Sequence, residues 1–280
     1  MEYHADRFDD FSMMVHRNDK LVAIIPANVK EGQVFSHAGL TYGGIISKSG
    51  INNTEIGEIL DKIVDFLNEE GKTALHFKIM PSFLQGAYSN ALEYFLFLKK
   101  AELTGRDMNY VVDLRNGINI HKSKLKKLKS IEESSLRISE TEDLGPFWDK
   151  ILIPVLEENH GVKPVHSLEE ISKLRSTFPK NIIQMDVYHN EEIVAGMTLF
   201  ISKGVVKSQY GAASIKGKEL RALDYLYLKL FEAYIDKGFH YFDMGTSTVA
   251  KGASYNVGLS KYKEEFGALP VNLDHYKLSL

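Results

Sequence analysis

The stretch VHRNDKLVAIIPANVKEGQVFS (residues 15–36) returns as VYHNEEIVAGMTLFISKGVVKS (residues 187–208), 172 positions later and without a gap. Val15/Val187, Asn18/Asn190, Val22/Val194, Ala23/Ala195, Gly32/Gly204, Val34/Val206 and Ser36/Ser208 are identical pairs. Each copy reads as a hairpin of apolar strands punctuated by polar turns. Chance similarity between two hairpins would end with the second strand, and here it continues. SHAGLTYGG closes a third strand in the first copy, and SQYGAAS does so in the second with a shorter turn. A helix follows each: Ile56, Ile59, Leu60, Ile63, Val64 and Leu67 recur at helical spacing, with Asn53 as cap and Gly71 as stop. Leu223, Leu226, Leu230 and Tyr234 form the matching stripe, stopped by Gly238.

A shift of 167 then superposes Gly71 on Gly238 and TALHFKIM on HYFDMGTS. Another helix follows in both, at about 89–103 and about 255–266, and each copy ends in a last strand, MNYVVDLR or VNLDHYKL. A period this long marks two similar domains rather than a solenoid. The expected organisation is a domain over 1–120, a lysine-rich connecting helix over 121–142 and a second domain over 143–280. Two strands bracketing a helix imply a parallel pair with a crossover, and the hairpin ahead of them is antiparallel. The fold class is therefore α/β with a mixed sheet flanked by helices in each domain.

Bulk properties narrow the function. The 280 residues are 44% hydrophobic and 11% aromatic, enough to fill two cores. A formal charge of −3 gives no general attraction to nucleic acid or anionic membrane. There is no cysteine, which removes thiolate nucleophiles and Cys-based metal sites. The polar start and the lack of any long apolar run fit neither a membrane span nor a secretory signal, so a soluble cytoplasmic protein is expected. No HxxxH, HExxH or paired-carboxylate spacing points to a metal.

The order of elements resembles the GNAT acyltransferase fold, and its duplication resembles the FemAB-like tandem group. FHYFDMGTS followed by NVGLSKYKEEFGA is similar to that group's F-D-x-G strand and K-x-x-F-G helix. HGVKPVHSLEEISKLRSTFPKNI is similar to the segment opening its second domain, and SHAGLTYGGIIS to its first-domain glycine turn. Family members carry a strand and helix ahead of the first hairpin. The second copy has about forty residues there (roughly 140–180, read as two helices), whereas the first has only MEYHADRFDD, so the first domain is expected to lack these elements.

The resemblance implies acyl transfer to an amine, with acyl-CoA as co-substrate and no metal. A diphosphate is held by backbone N–H groups at a helix N-terminus. GAASIKGKEL, with Gly211, Lys216, Gly217, Lys218 and Arg221, offers this before the long helix of the second copy, while SKSGINNTEIG of the first brings acidic residues; either can equally be an ordinary polar turn. Tyr210, near the end of the central strand, is a candidate donor to the leaving thiolate, or else a core tyrosine. Asp243, ending the F-D-x-G strand, is a candidate base or acceptor-orienting group. His37, in a turn with Tyr42, Gly43 and Gly44, is the imidazole candidate, against the commoner structural role. His160 and His166 flank a glycine-proline turn and read as structural.

Tandem members divide into a group that adds amino acids from aminoacyl-tRNA to cell-wall precursors and a group that acylates sugars with acyl-CoA. Residues 204–220 leave no room for the long helical hairpin of the first group. The chain therefore resembles the second, whose acceptors are nucleotide-linked dideoxy amino sugars (for example a dTDP-3-amino-3,6-dideoxyhexose) destined for lipopolysaccharide or other surface polysaccharide. Its expected donors are acetyl-CoA or 3-hydroxybutyryl-CoA. Arg7, Tyr42, Gly43, Gly44, Arg106, Lys261 and Lys263 are candidates for holding such an acceptor, with Lys261 and Lys263 alternatively the solvated face of a helix. Aminoacyl-tRNA-dependent transfer and a non-catalytic binding module remain as alternatives.

Overall fold

The computed structural model describes residues 6–84, 90–126 and 136–280. They form two compact units. The first comprises residues up to Met108 together with Thr248–Tyr255 and Val271–Leu280, and the second comprises Asn109–Ser247 and Asn256–Pro270.

In the first unit β2 (Met13–Arg17) and β3 (Lys20–Ile25) form the hairpin of the quoted stretch, and β6 (Ile46–Ser47) adds to β3. The chain then changes sheet. Pro26 has no N–H with which to continue the ladder, and the following strand β4 (Asn28–Lys30) pairs instead with β1 (Asp9–Asp10) and β5 (Gln33–Phe35). β5 runs parallel to β7 (Ala74–Lys78), reached through α1 (Asn53–Glu69), and α2 (Ala91–Leu98) follows. Ile59, Leu60, Ile63 and Leu67 of α1 pack on Val34, Leu75 and Phe77, the helical stripe meeting the strand faces. Among the described residues, only β1 precedes the first hairpin.

In the second unit β9 (Leu136–Thr141), β10 (Ile182–His189), β11 (Glu192–Ser202) and β12 (Val205–Ala213) form an antiparallel meander. β12 lies parallel to β13 (Tyr241–Thr246), the crossover being the short α5 (Ile215–Glu219) and the long α6 (Ala222–Asp236). Two helices, α3 (Ile153–His160) and α4 (Leu168–Thr177), occupy the region expected to hold them. A helical turn Gly145–Phe147 and a π-helical turn Trp148–Leu152 lead into α3, and α7 (Val257–Glu264) lies near the end. The expected connecting helix is only partly so: 122–126 are helical, 127–135 lie outside the described residues, and 136–141 are a strand. Leu136–Thr141 pair along β10 instead, the chain extending where a sheet edge is on offer.

The internal repeat holds down to its irregularities. Asn18–Asp19 and Asn190–Glu191 are both two-residue turns in the left-handed region, at φ of 49° and 60° and of 47° and 63°. Val15 pairs with Ala23 and His16 with Leu21, so that Val22 bulges; Val187 pairs with Ala195 and Tyr188 with Ile193, so that Val194 bulges. Where Pro26 breaks the first copy, Thr198 lets β11 run on, with a bulge in its partner β12.

The closing strands are exchanged relative to the sequence expectation. β13 is flanked by the second half of β8 (Glu102–Asp113), through Tyr241 opposite Asp113 and Phe242 opposite Val112. β7 is flanked by β16 (Leu269–Ser279), through Phe77 opposite Tyr276 and Leu75 opposite Leu278. Both strands are apolar enough to close either sheet, and their pairing is a tertiary choice that local pattern does not encode. A small hairpin, β14 (Thr248–Val249) with β15 (Ser254–Tyr255), belongs to the first unit. Thr248 Oγ donates to Asp107 there, at 2.7 Å.

Candidate active site

β12 and β13 pair only at Val205/Tyr241, Val206/Phe242 and Lys207/Asp243, and then part. Beyond that point β12 stays paired with β11 while β13 stays paired with β8, with Thr246 opposite Asn109. The bulge at Gln209 twists β12 where the strands separate. Gly211 and Thr246, past the parting, are exposed.

A buried polar cluster marks the same place. Asp243 is fully buried; its Oδ2 receives the Lys207 ammonium at 2.8 Å, and its Oδ1 receives Asn109 Nδ2 at 2.9 Å and the Gly245 amide at 2.7 Å. Lys263 is also buried (4% exposed) and donates to the carbonyls of Gly245 and Thr246, both at 2.8 Å. Burial pulls its ammonium down to about 8, Asp243 opposing the shift and Lys207 adding to it. Two hydrogen bonds leave one of its three N–H groups to point elsewhere.

The helix starts differ between the two copies. α1 is closed by a capping box in which Asn52, not Asn53 as expected, is the cap: Asn52 accepts from the Glu55 amide and Glu55 from the Asn52 amide. α6 begins at Arg221, in a left-handed conformation (φ 55°) with no side chain capping it. Asp224 in its first turn faces Lys124 at 3.2 Å and Arg221 at 3.6 Å. Lys124 is buried and held by Asp224 and Glu265, so Arg221, 40% exposed, is the cation at this helix start that faces solvent; an uncapped start keeps amide donors for an anion, whereas the capping box of α1 has already used two.

The remaining sequence candidates fall in several places. Lys216 and Lys218 are exposed on α5, the former paired with Glu219 at 3.4 Å. Gly217 is engaged in packing against β11. A Cβ there would lie 2.0 Å from the Val194 carbonyl, and its amide already donates to Ser214 Oγ. Tyr210 points into the core beside Trp148, its ring 4.9 Å away, and its hydroxyl lies 2.5 Å from His166 Nδ1, so both residues are occupied with each other. Burial raises the tyrosine further above its ordinary range. The side chain of His160 lies outside the described residues. Lys261 is exposed while Lys263 is buried, so the two do not share a solvated face.

In the first unit His37 is buried; its Nδ1 accepts from the Gly39 amide at 3.2 Å and its ring meets Phe8 edge-on at 5.1 Å. Gly43 is needed for contact, since a Cβ would lie 2.0 Å from the Ser36 carbonyl, and Gly44 has φ of 102°. Tyr42 beside them is half-buried. Arg7 stands 3.8 Å from Asp6. Arg106 is held by both oxygens of Asp274, at 2.6 and 2.8 Å, and is thereby committed within the fold. A cavity of about 380 Å³ in this unit is lined by Arg17, Lys20, Lys48 and Gly50 among others, none of them a sequence candidate. Among the described residues no three His, Asp or Glu side chains are grouped to hold a metal ion, and no helix is long and apolar enough to cross a membrane.

Sequence reasoning missed Lys207, Asn109, Lys124 and Asp224. A signal for Lys207 was present: a lone lysine in the apolar run VVKSQY, beside a strand carrying a lone aspartate.

The family model described as an acetyltransferase (GNAT) domain matches residues 119–264. Among solved structures, FemX aligns with 100% of this chain and 90% of its own at 10% identity and a TM-score of 0.72. L-PGS from Bacillus licheniformis aligns with 96% of this chain and 83% of its own, at 14% identity and a TM-score of 0.64. The C-terminal domain of a putative lysylphosphatidylglycerol synthetase from Agrobacterium fabrum covers the same shares at 11% identity and 0.62. At such identities these likenesses establish a common fold, the tandem GNAT, FemAB-like one. A comparison with curated proteins finds no match. Because the domain model spans more than half of the chain and covers the parted strands and the buried lysine, the chain belongs to the GNAT acetyltransferase family and is an acyltransferase.

Proposed function

We propose that the second unit moves an acyl group from acyl-CoA to the amino group of a nucleotide-linked dideoxy amino sugar, at the parting of β12 and β13. The observation carrying this reading is the buried Lys263 ammonium held against the Gly245 and Thr246 carbonyls there. The amine nitrogen attacks the thioester carbon, and the carbonyl oxygen becomes an oxyanion. Collapse breaks the C–S bond, the thiolate leaves and takes a proton, and the nitrogen loses one to give the amide. A positioned cation beside the oxyanion stabilises that charge; a single such donor is worth about 3 kcal/mol. Asp243, with each oxygen engaged, orients Lys207 and Asn109 in this scheme instead of serving as the base. The diphosphate of the donor lies at the uncapped start of α6, near Arg221. Support for the sugar acceptor is the short link from β12 to α6, filled by the five residues of α5.

Aminoacyl transfer is a second reading, favoured by the likeness to L-PGS and to a putative lysylphosphatidylglycerol synthetase. The test is thiol release from acetyl-CoA and 3-hydroxybutyryl-CoA with a panel of dTDP- and UDP-linked amino sugars, run beside lysyl-tRNA with phosphatidylglycerol and alanyl-tRNA with a peptidoglycan precursor. Sugar-dependent thiol release with an acylated product supports the first reading. Product only in the tRNA arms replaces it with the second. A chain without turnover in any arm and without a melting shift in CoA is a binding module; at 100 times its dissociation constant CoA would add about 2.7 kcal/mol.

A further inference from the structure

Lys124 is a lysine almost out of reach of water, 6% exposed. It lies on the short helical run 122–126, and its amide is tied back to the His121 carbonyl at 2.9 Å. Its ammonium stands 3.2 Å from Asp224 on α6 and 3.5 Å from Glu265 at the end of α7. Two aromatic rings close over it, Tyr262 at 4.1 Å and Phe266 at 4.3 Å from their centroids. The Tyr262 hydroxyl completes the ring of contacts by donating to the other Asp224 oxygen at 2.8 Å. A buried ion pair is weak evidence of added stability, because desolvation offsets the attraction. Its best-attested use is to select one arrangement over others.

α7 needs such a selector. It has eight residues, and Val257, Leu259, Lys261 and Glu264 are exposed, so its apolar anchorage is confined to its end, where Tyr262 and Phe266 pack against Tyr227 and Lys124 reaches both rings. Tyr262 and Lys263 are successive residues, about 100° apart around the helix. Gripping Tyr262 on one side therefore sets where Lys263 points on the next.

We propose that Lys124 is a positioning residue for acyl transfer: paired with Asp224 and covered by Tyr262 and Phe266, it fixes the rotation of α7 and thereby presents Lys263 at the parting of β12 and β13. Its catalytic significance rests on the function proposed above, whereas its effect on Lys263 does not.

Two measurements on the same proteins separate the two. In the full chain labelled with 13Cε-lysine, the Lys263 resonance is assigned through Lys263→Met and titrated by NMR in wild type, Lys124→Met and Asp224→Asn. Wild type is expected to titrate near the depressed value of about 8. Both variants should move that midpoint up by about one pH unit or more, toward an ordinary lysine, as α7 turns and water reaches the ammonium. In the transfer assay kcat should fall about tenfold with the KM for acyl-CoA little changed, the pattern of lost orientation. A folded variant that melts earlier but leaves both the midpoint and kcat unmoved would overturn the proposal and make the cluster purely structural. If Lys124→Met does not fold, Asp224→Asn decides alone, since it keeps the side-chain shape beside Tyr262. A shifted midpoint in a chain that transfers no acyl group would retain the clamp and reject the function.

Discussion

Lys207 and Asp243 face each other across parallel strands, Nζ 2.8 Å from Oδ2, at the last position where β12 and β13 pair. The pair thus stands where the sheet opens, and it is buried on the aspartate side and nearly so on the lysine side. Asp243→Ala leaves the Lys207 charge uncompensated and the Asn109 and Gly245 donors without an acceptor. We expect a loss of about 3–5 kcal/mol in urea unfolding. Asp243→Asn, which keeps the shape and one acceptor, should lose less.

Lys263→Met keeps an unbranched apolar side chain and removes the ammonium, whose Nζ stands 5.7 Å from the centre of the Tyr110 ring. The expected fall in kcat is about 10²- to 10³-fold, with folding intact by circular dichroism. In wild type the ammonium is protonated below about 8 and lost above it, so kcat/KM should decline on the alkaline side of that value. Stability moves the other way. The unfolded chain binds this proton more tightly than the folded one, so the Lys263 contribution to stability rises with pH from about 8 toward the ordinary lysine value.

Asp186 gives a second pH signature, unrelated to the site. It is fully buried and receives only neutral donors, Gln184 Nε2 at 2.6 Å and the Tyr188 hydroxyl at 3.3 Å. Gln184 in turn accepts from Thr198, which accepts from Trp148. Burial, aided by the nearby Asp143 charge, pushes its carboxyl up to about 6. Between about pH 4 and 6 the folded state holds the proton more tightly, so this contribution is fully present below pH 4 and is lost as pH rises through 6. The loss totals roughly 3 kcal/mol at most. Asp186→Asn should flatten the dependence, as read from urea midpoints at pH 4.5 and 7.

Gly217→Ala places a methyl group 2.0 Å from the Val194 carbonyl, and α5 must back away from β11. A cost of about 1–3 kcal/mol in unfolding is expected. Ser214→Ala, which removes the cap on the same helix, should cost about 1 kcal/mol.

The repeat was legible because its cues are local: two-residue turns with Asn first, alternating apolar positions, and a glycine after each long helix. Bulges at Val22 and Val194 follow from the same pattern, although only the paired strands reveal them. The six-residue strand at 136–141 escaped notice because LRISET carries too few apolar residues to stand out beside a lysine-rich run. The candidate site was legible in part. Asp243 drew attention as the aspartate of the F-D-x-G strand. Lys261 and Lys263 invited a joint reading as a solvated face, yet residues two apart on a helix lie on different sides, and only one of these is exposed.

The exchange of β8 and β16 has a consequence for the order in which the protein can be made. β7 is laid down at residues 74–78 and can pair with β5 at once, but its second neighbour arrives only with residues 271–280. A nascent chain leaving the ribosome would therefore hold an unfinished sheet edge through most of translation. Conversely, a gene cut between the repeats would encode two fragments, each carrying the strand the other requires, and neither half should yield a stable product unless both are expressed together.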